Sequence, residues 1–243
     1  TLIDPMPDIV AHSLEKSQVE VFKGKARFVG EDRIEVEGQT LSARHIFIGT
    51  GAIPQPLNIS GEEHILTSED FLDLEHLPED IIFVGGGYIS FEFAHAAARA
   101  GARPVILQRS RPLKNFDQEM VGYLVHLTRN IGIDVKDNMP VKAVEKTGAG
   151  FVVRAGADGE REFQADLVVH GAGRVANIRD LGLEAAGVES TPAGITVNDY
   201  LTGREAPECA CERGERHSRT AGARARRQFT SAGGEQDGED DEA

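Results

Sequence analysis

The 243-residue sequence predicts an α/β fold that combines a parallel sheet with an antiparallel β meander. Residues 81–84 form a short, wholly apolar run, which is typical of a buried parallel strand. Glycines follow this run, and a helical stretch then reaches about Ala100. A second strand is predicted at residues 105–108, so the chain has the strand–helix–strand unit from which parallel sheets are built.

The first part of the chain is predicted to be rich in short β-strands. Polar and apolar residues alternate there, and glycines stand between the alternating segments. The predicted strands are residues 19–22, 26–29, 33–37 and 45–48. The last of them enters a glycine turn at residues 49–51. Thr67 or Ser68 is expected to cap a short helix, because acidic residues occupy the turn that follows.

A second helix and further strands are predicted beyond residue 108. Asp117 opens the helix, which ends near Gly132 and carries Met120, Leu124 and Leu127 on one face. The predicted strands are residues 141–146, 151–154 and 165–170, with a weaker one at 194–197.

The turn after residues 81–84 has the spacing of a dinucleotide-binding loop. Gly85 permits a tight turn, Gly87 lets a pyrophosphate approach the backbone, and Ser90 is small enough for the helix to pack closely on the strand. Free N–H groups and the positive end of the helix dipole would then face the phosphates. The alternative is a glycine turn that merely connects a strand to a helix.

The residues after the second strand bear on which nucleotide is bound. An acidic residue at the end of this strand usually accepts hydrogen bonds from the adenosine ribose, but Gln108 stands there. Arg109, Arg111 and Lys114 follow, and guanidinium groups pair well with a 2′-phosphate. The sequence therefore predicts NADPH rather than NADH. The alternative is that these cations belong to an ordinary solvated loop.

Composition excludes several classes of partner. The formal net charge of −14 argues against nucleic acids and anionic membranes, since both are polyanions. No window has the length and apolarity of a membrane span, and no secretory leader is recognisable, so a cytoplasmic protein is expected. The two cysteines, Cys209 and Cys211, are separated by one residue and match neither a C-x-x-C redox motif nor a zinc site. No metal ligand and no catalytic residue is predicted.

The last 41 residues, 203–243, differ in kind from the rest. They contain no Leu, Ile, Val or Met, and seven Arg but no Lys. Such a segment cannot bury enough apolar surface to offset its ordering entropy. A naturally disordered tail and a tail read out of frame from about Leu201 are both open interpretations. The abrupt end of the strand before it favours the second.

Three separated motifs resemble those of the flavin-dependent pyridine nucleotide-disulfide oxidoreductases, the glutathione reductase-like members in particular. The motifs are residues 49–54 (GTGAIP), 84–92 (VGGGYISFE) and 171–177 (GAGRVAN). The resemblance implies a Rossmann-like NADP-binding domain, residues 79–172, inserted into an FAD-binding domain. Residues 1–78 and 173–202 would be the parts of that FAD-binding domain that are present here.

The resemblance also implies roles for individual side chains. Tyr88 would cover the flavin face at which nicotinamide docks, and Glu92 would orient the nicotinamide carboxamide. Plain packing of Tyr88 and a surface ion pair of Glu92 are the alternatives. The candidate cofactor-binding residues are Gly85, Gly87, Tyr88, Ile89, Ser90, Glu92, Arg109, Lys114, Gly173, Arg174, Thr50 and Gly51.

Members of the family implied by the resemblance pass hydride from NADPH to FAD and electrons onward to a small disulfide such as glutathione disulfide, as homodimers. The family's first FAD-binding fingerprint and its C-x-x-x-x-C pair would precede residue 1. Its dimerisation domain, which carries a His-Glu pair, would follow Leu201. The chain is therefore expected to be a fragment limited to NADP binding, with weak or no FAD binding. A stand-alone nucleotide-binding module, a non-functional gene remnant, and a dihydrolipoamide dehydrogenase-like or mercuric reductase-like enzyme remain open.

Overall fold

The computed structural model describes residues 5–199, 201–203 and 209–211 of the chain. The chain divides into two compact units. Residues Ile53–Val175 form one, called here the inserted unit, and the described parts of Thr1–Ala52 and Ala176–Ala243 form the other, the flanking unit. No helix in the described part of the chain is long and apolar enough to cross a lipid bilayer.

The described residues form four α-helices, two 3₁₀ turns and sixteen strands. The helices are α1 (Met6–Lys16), α2 (Ser68–Leu72), α3 (Tyr88–Arg99) and α4 (Gln118–Asn130), with 3₁₀ turns at Glu62–His64 and Leu183–Ala186. The strands are β1 (Ala26–Gly30), β2 (Arg33–Val36), β3 (Gln39–Ser42), β4 (Ile46–Ile48), β5 (Ala52–Pro54), β6 (Asp80–Val84), β7 (Arg103–Leu107), β8 (Asp134–Lys136), β9 (Val141–Thr147), β10 (Gly150–Ala155), β11 (Arg161–Ala165), β12 (Leu167–His170), β13 (Arg174–Ala176), β14 (Ser190–Thr191), β15 (Gly194–Ile195) and β16 (Cys209–Cys211).

The inserted unit is built on a four-stranded parallel sheet of order β12-β6-β7-β8. Because β6 lies in the middle and is buried from Ile81 to Val84, it needs the continuous apolar run that the sequence shows. The predicted strands at 81–84, 105–108 and 165–170 correspond to β6, β7 and β12. The predicted α/β fold class with a parallel sheet is confirmed.

Each face of this sheet carries its own hydrophobic cluster. On one face α3 and α4 pack against the strands, around buried residues such as Phe83, Ala94 and Val121. On the other face β9, β10 and β11 form an antiparallel meander whose Val144 and Val153 pack against the sheet. The two helices and the meander cover the two faces of the sheet. The connecting loops meet at its remaining edge, at the carboxyl ends of β6, β7 and β12.

Helix α4 buries a different face from the one that the sequence singles out. Its buried residues are Val121, Val125 and Thr128, whereas Met120 and Leu127 are largely exposed. The helix has two apolar stripes, and the one with small β-branched side chains packs on the core. Periodicity alone cannot choose between such stripes.

Thr67 caps α2 as expected. Its Oγ1 accepts a hydrogen bond from the Asp70 N–H at 3.3 Å, and the Asp70 carboxylate accepts from the Thr67 N–H at 2.7 Å, so both halves of a capping box are present. The Thr67 hydroxyl also donates to the Asp70 carboxylate at 2.7 Å, and this bond, together with the one from the Thr67 N–H, lowers the pKa of Asp70 below its ordinary value.

The flanking unit contains the antiparallel meander β1-β2-β3, and β4 pairs in parallel with β16. Phe28, Ile48, Leu183 and Val188 form its hydrophobic cluster. Apart from Gly203 and β16, residues 203–243 lie outside the described residues. The predictions for this tail therefore fall outside them as well.

The predicted strand at residues 19–22 was wrong. These residues are not in a strand, and the Val19 N–H instead donates to the Leu14 carbonyl at 3.0 Å, at the end of α1. Val19 and Val21 are both exposed, so neither has a sheet face to pack against.

Candidate functional site

The turn between β6 and α3 is shaped by glycine backbone. Gly85 has φ +99° and donates its N–H to the Leu107 carbonyl at 2.8 Å. A Cβ at Gly85 would overlap the backbone of Ala172. Gly87 is the N-cap of α3, and a Cβ there would lie 2.9 Å from the Gly171 carbonyl oxygen. No side chain caps this helix, so its first turn presents backbone N–H groups of the kind that hold phosphates.

The third position of the loop is a tight contact between α3 and the end of β12. Ser90 is fully buried, and its Oγ has no hydrogen-bond partner among the described residues. A Cβ at Gly171 would overlap that Oγ. Helix and sheet therefore approach closely here because residue 171 has no side chain, which complements the small Ser90.

Gln108, which was not among the predicted site residues, ties two loops together. Its Oε1 accepts hydrogen bonds from the N–H groups of Gly86 and Arg109, both at 3.0 Å. Its Nε2 donates to the Arg111 carbonyl at 2.7 Å. This pattern needs an acceptor and a donor on one side chain, which an amide supplies and a carboxylate does not. The signal in the sequence was an amide at the position that usually holds the ribose-binding acid.

The loop after β7 is hydrogen-bonded to the glycine turn and carries exposed cationic side chains. The Leu113 N–H donates to the Gly86 carbonyl at 2.8 Å, and Leu113 has φ +45°, an uncommon conformation for a branched side chain. Arg109, Arg111 and Lys114 are exposed along this loop. The structure thus brings the predicted cations to the same edge of the sheet as the glycine turn.

The remaining predicted residues of α3 lie on two faces of the helix. Tyr88 and Glu92 are one turn apart and exposed, while Ile89 is half-buried. One turn apart on an α-helix means on the same face, so Tyr88 and Glu92 are oriented together.

Gly173 and Arg174 follow the end of β12. Gly173 has φ +128°, and its carbonyl accepts from the Gln55 N–H at 2.9 Å. The Arg174 guanidinium lies 3.9 Å from the Glu69 carboxylate. At this distance the ion pair with exposed Glu69 contributes little to stability.

In the flanking unit, Thr50 and Gly51 lie in the exposed turn between β4 and β5, and Gly51 has φ +68°. Asn177 belongs to the same unit, although it lies far along the sequence, and it stabilises this turn with two hydrogen bonds. Its N–H donates to the Gly51 carbonyl at 3.0 Å, and its Nδ2 donates to the Thr50 carbonyl at 3.4 Å. Asn177 ends the third sequence motif, and its role in fixing the first motif could not be read from the sequence.

His95 is partly buried between α3 and α4 in the inserted unit. Arg99 Nη1 donates to His95 Nδ1 at 3.2 Å, and His95 Nε2 lies 2.8 Å from Thr128 Oγ1, which in turn donates to the Leu124 carbonyl. Burial, with a smaller contribution from the Arg99 charge, lowers the pKa of His95. His95 therefore links α3 to α4 through its contact with Thr128. Among the described residues, no group of three or more His, Cys, Asp or Glu side chains is arranged to hold a metal ion.

Known proteins resemble this chain over most of its length. The sequence profile of a family described as pyridine nucleotide-disulphide oxidoreductase matches residues 2–206. A glutathione reductase of Burkholderia cepacia is 36% identical over 189 residues, which are 77% of this chain and 42% of that protein. A mercuric reductase of Lysinibacillus sphaericus is 33% identical over 77% of this chain and 35% of its own length. A dihydrolipoyl dehydrogenase of Bacillus subtilis is 30% identical over 79% of this chain and 43% of its own length.

Among solved structures, the HOCl-induced flavoprotein disulfide reductase RclA from Escherichia coli superposes with a TM-score of 0.79 at 24% identity. The superposition covers 86% of this chain and 49% of that one, and it shows a shared fold. The chain spans less than half the length of each of these relatives. Since the family profile covers most of its residues, the chain belongs to the pyridine nucleotide-disulphide oxidoreductase family, a family of FAD-dependent enzymes.

Proposed function

We propose that the inserted unit binds a pyridine nucleotide at the turn between β6 and α3, with its pyrophosphate on the first turn of the helix. The bare backbone at Gly87 carries the proposal. A side chain there would meet the Gly171 carbonyl and fill the space that a phosphate needs. The N-terminus of α3 offers N–H donors and the positive end of the helix dipole to that phosphate.

NADPH is the nucleotide that the loop after β7 favours. No carboxylate stands at the end of β7 to repel a 2′-phosphate, since Gln108 turns its amide inward to Gly86 and Arg111. Arg109 and Lys114 are exposed on the same loop and would pair with the 2′-phosphate through charge-assisted hydrogen bonds. In the alternative proposal these cations are solvated and the two nucleotides bind alike.

The nucleotide, when bound, supplies a hydride that a flavin accepts, and the longer protein would use the electrons to reduce a small disulfide such as glutathione disulfide. In this proposal Tyr88 excludes water from the face at which nicotinamide docks, and Glu92 accepts a hydrogen bond from the carboxamide. Thr50, Gly51, Gly173 and Arg174 would lie toward the flavin. Holding the nicotinamide in the orientation needed for hydride transfer is the contribution proposed for Tyr88 and Glu92.

For the chain itself, we propose nucleotide binding without disulfide reductase turnover. Exchange with a disulfide needs a reactive thiol pair, and the sequence has Cys209 and Cys211 alone, separated by one residue. The mercuric reductase and dihydrolipoyl dehydrogenase relatives keep those two substrate classes open for the longer protein. Reduction of oxidised glutathione by NADPH with added FAD tests this proposal, and robust turnover by the purified chain would contradict it.

Calorimetric titration of the purified chain with NADPH and, in parallel, with NADH tests the nucleotide assignment. Arg109→Ala should weaken NADPH binding about ten- to hundredfold, since a charge-assisted hydrogen bond contributes about 1.5–3 kcal/mol, and should leave NADH binding unchanged. Arg161→Ala, at an exposed position of β11, is the matched control and should change neither affinity. Equal losses for both nucleotides would place Arg109 away from the 2′-phosphate, and binding of neither would overturn the proposal.

A further inference from the structure

A stripe of large apolar side chains runs along the outer face of α4. It begins just before the helix and ends at its C-cap. Its members, called here the α4 stripe, are Phe116, Met120, Tyr123, Leu127 and Ile131, and each is between 44% and 67% exposed. Met120, Tyr123, Leu127 and Ile131 are spaced by three, four and four residues, which keeps them on one helix face as in the apolar seam of a helix that packs on another helix, and Phe116 lies just before the N-cap.

The α4 stripe is separate from the packing that holds α4 in the fold. The face turned to the core is that of Val121, Val125 and Thr128, with Leu124 partly buried beside it. The stripe therefore contributes little to folding of the inserted unit. It is an apolar surface in addition to a complete core.

The area of the stripe is large for an exposed patch. Taking about 200 Å² for a large apolar side chain, the five exposed fractions correspond to about 600 Å². Patches of this size lie at the upper end of what monomers expose and commonly mark interaction sites. Two such patches facing each other would bury about 1,200 Å², the lower limit for specific stable interfaces. The area thus suits a reversible dimer.

The order of the residues fits a second copy of the same helix. The stripe is symmetric about the midpoint between residues 123 and 124, so an antiparallel α4 from a second copy would set Met120 against Leu127 and bring Phe116 toward Ile131. The two Tyr123 side chains would lie beside the two-fold axis, half a residue to either side of it, and would contact each other. An interface of this kind is isologous, because the same patch serves on both copies.

The flank of the stripe is complementary in the same arrangement. Glu119, His126 and Asn130 border the stripe on the side away from the core, and His126 Nε2 lies 3.2 Å from Asn130 Nδ2. The same antiparallel pairing brings Glu119 of one copy to within two residues along the helix of His126 of the other, an acid near a base at each end.

We propose that the α4 stripe is a self-association surface on which α4 of one copy packs antiparallel against α4 of a second copy. The surface is distinct from the nucleotide site and does not depend on it. The net charge of −14 makes two copies repel each other, so screening by salt should strengthen the dimer.

Sedimentation velocity of the full chain over a hundredfold concentration range tests the proposal. We expect a monomer–dimer equilibrium that shifts toward dimer when NaCl is raised from about 50 mM to about 500 mM. Tyr123→Glu should weaken the dimer at least tenfold, while Leu72→Glu, at a similarly exposed apolar position on α2, should not. A chain that stays monomeric, or a dimer that Tyr123→Glu leaves intact, overturns the proposal.

Cross-linking tests the antiparallel geometry and does not depend on affinity. In a chain with Cys209→Ser and Cys211→Ser, a Tyr123→Cys substitution should give a disulfide-linked dimer under mild oxidation, because residue 123 lies beside the two-fold axis and contacts its own counterpart. Leu72→Cys in the same background should give none. Thermal unfolding of each variant, followed by circular dichroism, confirms that the chain is folded when the measurement is made. Equal cross-linking at both positions refutes the antiparallel pairing.

Discussion

Replacement of Gln108 by Met tests whether one side chain holds the glycine turn to the loop of cations. Met has the same length and no groups to replace the amide, so three hydrogen bonds are lost. Water replaces the partners at exposed Arg109 and Arg111, but Gly86 is buried and its N–H is left unpaired. An unpaired buried donor costs about 1–3 kcal/mol. We therefore expect the free energy of unfolding to fall by about 2 kcal/mol.

Equilibrium unfolding in urea measures this change. Gln164→Met is the matched control, since Gln164 is exposed on β11 and its substitution should change the free energy of unfolding by less than about 0.5 kcal/mol. If the Gln108 and Gln164 variants are equally stable, Gln108 does not hold the turn.

Gln108→Glu separates the structural role of this residue from its effect on the nucleotide. A carboxylate still accepts from Gly86 and Arg109 but cannot donate to the Arg111 carbonyl, so the loss of stability should be smaller than for Met. A negative charge about 7 Å from a 2′-phosphate at an effective dielectric constant of about 20–40 costs about 1–2 kcal/mol. The ratio of NADPH to NADH affinity should fall about tenfold in calorimetric titrations. An unchanged ratio would show that residue 108 does not face the ribose.

Three further substitutions test other contacts by urea unfolding. Gly171→Ala should destabilise the chain by about 1–3 kcal/mol, because its Cβ would overlap the Ser90 Oγ, and Ser90→Gly should restore part of the loss. Thr67→Ala should cost about 1 kcal/mol at neutral pH, and it should reduce the further loss of stability below about pH 4, since Thr67 is what lowers the pKa of Asp70 in the folded chain. The folded state resists protonation of His95, so the free energy of unfolding should fall as the pH drops below about 6.5, and His95→Gln should remove that part of the fall.

The sequence was sufficient to predict the fold where local signals and burial agree. Residues 81–84 are apolar without interruption, and glycines follow at the positions that a tight strand–helix turn needs, so β6, the turn and α3 were predicted together. The segment at 19–22 has the same local pattern as a strand but no partner, and a strand is stable only when paired. Whether a strand has a partner depends on the whole fold and cannot be predicted from the segment alone.

The hydrogen bonds within the candidate site could not be predicted from the sequence, because they join segments that are distant along the chain. The glycines and the cations were predicted from their spacing. In contrast, the Gly86 N–H donates a hydrogen bond to Gln108, which lies 22 residues away in the sequence. Asn177 reaches Thr50 across 127 residues. In the sequence, Gln108 indicates only that the usual acid is missing. The hydrogen bonds show that the amide has a structural role, because it both accepts and donates.

These contacts couple the choice of nucleotide to the stability of the phosphate loop. The Gly85 N–H donates to the carbonyl of Leu107, at the end of β7. The next residue, Gly86, donates its N–H to the Gln108 side chain and accepts at its carbonyl from the Leu113 N–H. The segment that would read the 2′-phosphate is therefore hydrogen-bonded to the segment that would hold the pyrophosphate. A substitution that changes nucleotide preference at residue 108 must still supply an acceptor to the Gly86 N–H, or it will loosen the turn for both nucleotides. Glu meets this requirement and Met does not. A weaker affinity of the Met variant for NADH as well as NADPH, with NADH binding retained by the Glu variant, would show this coupling directly.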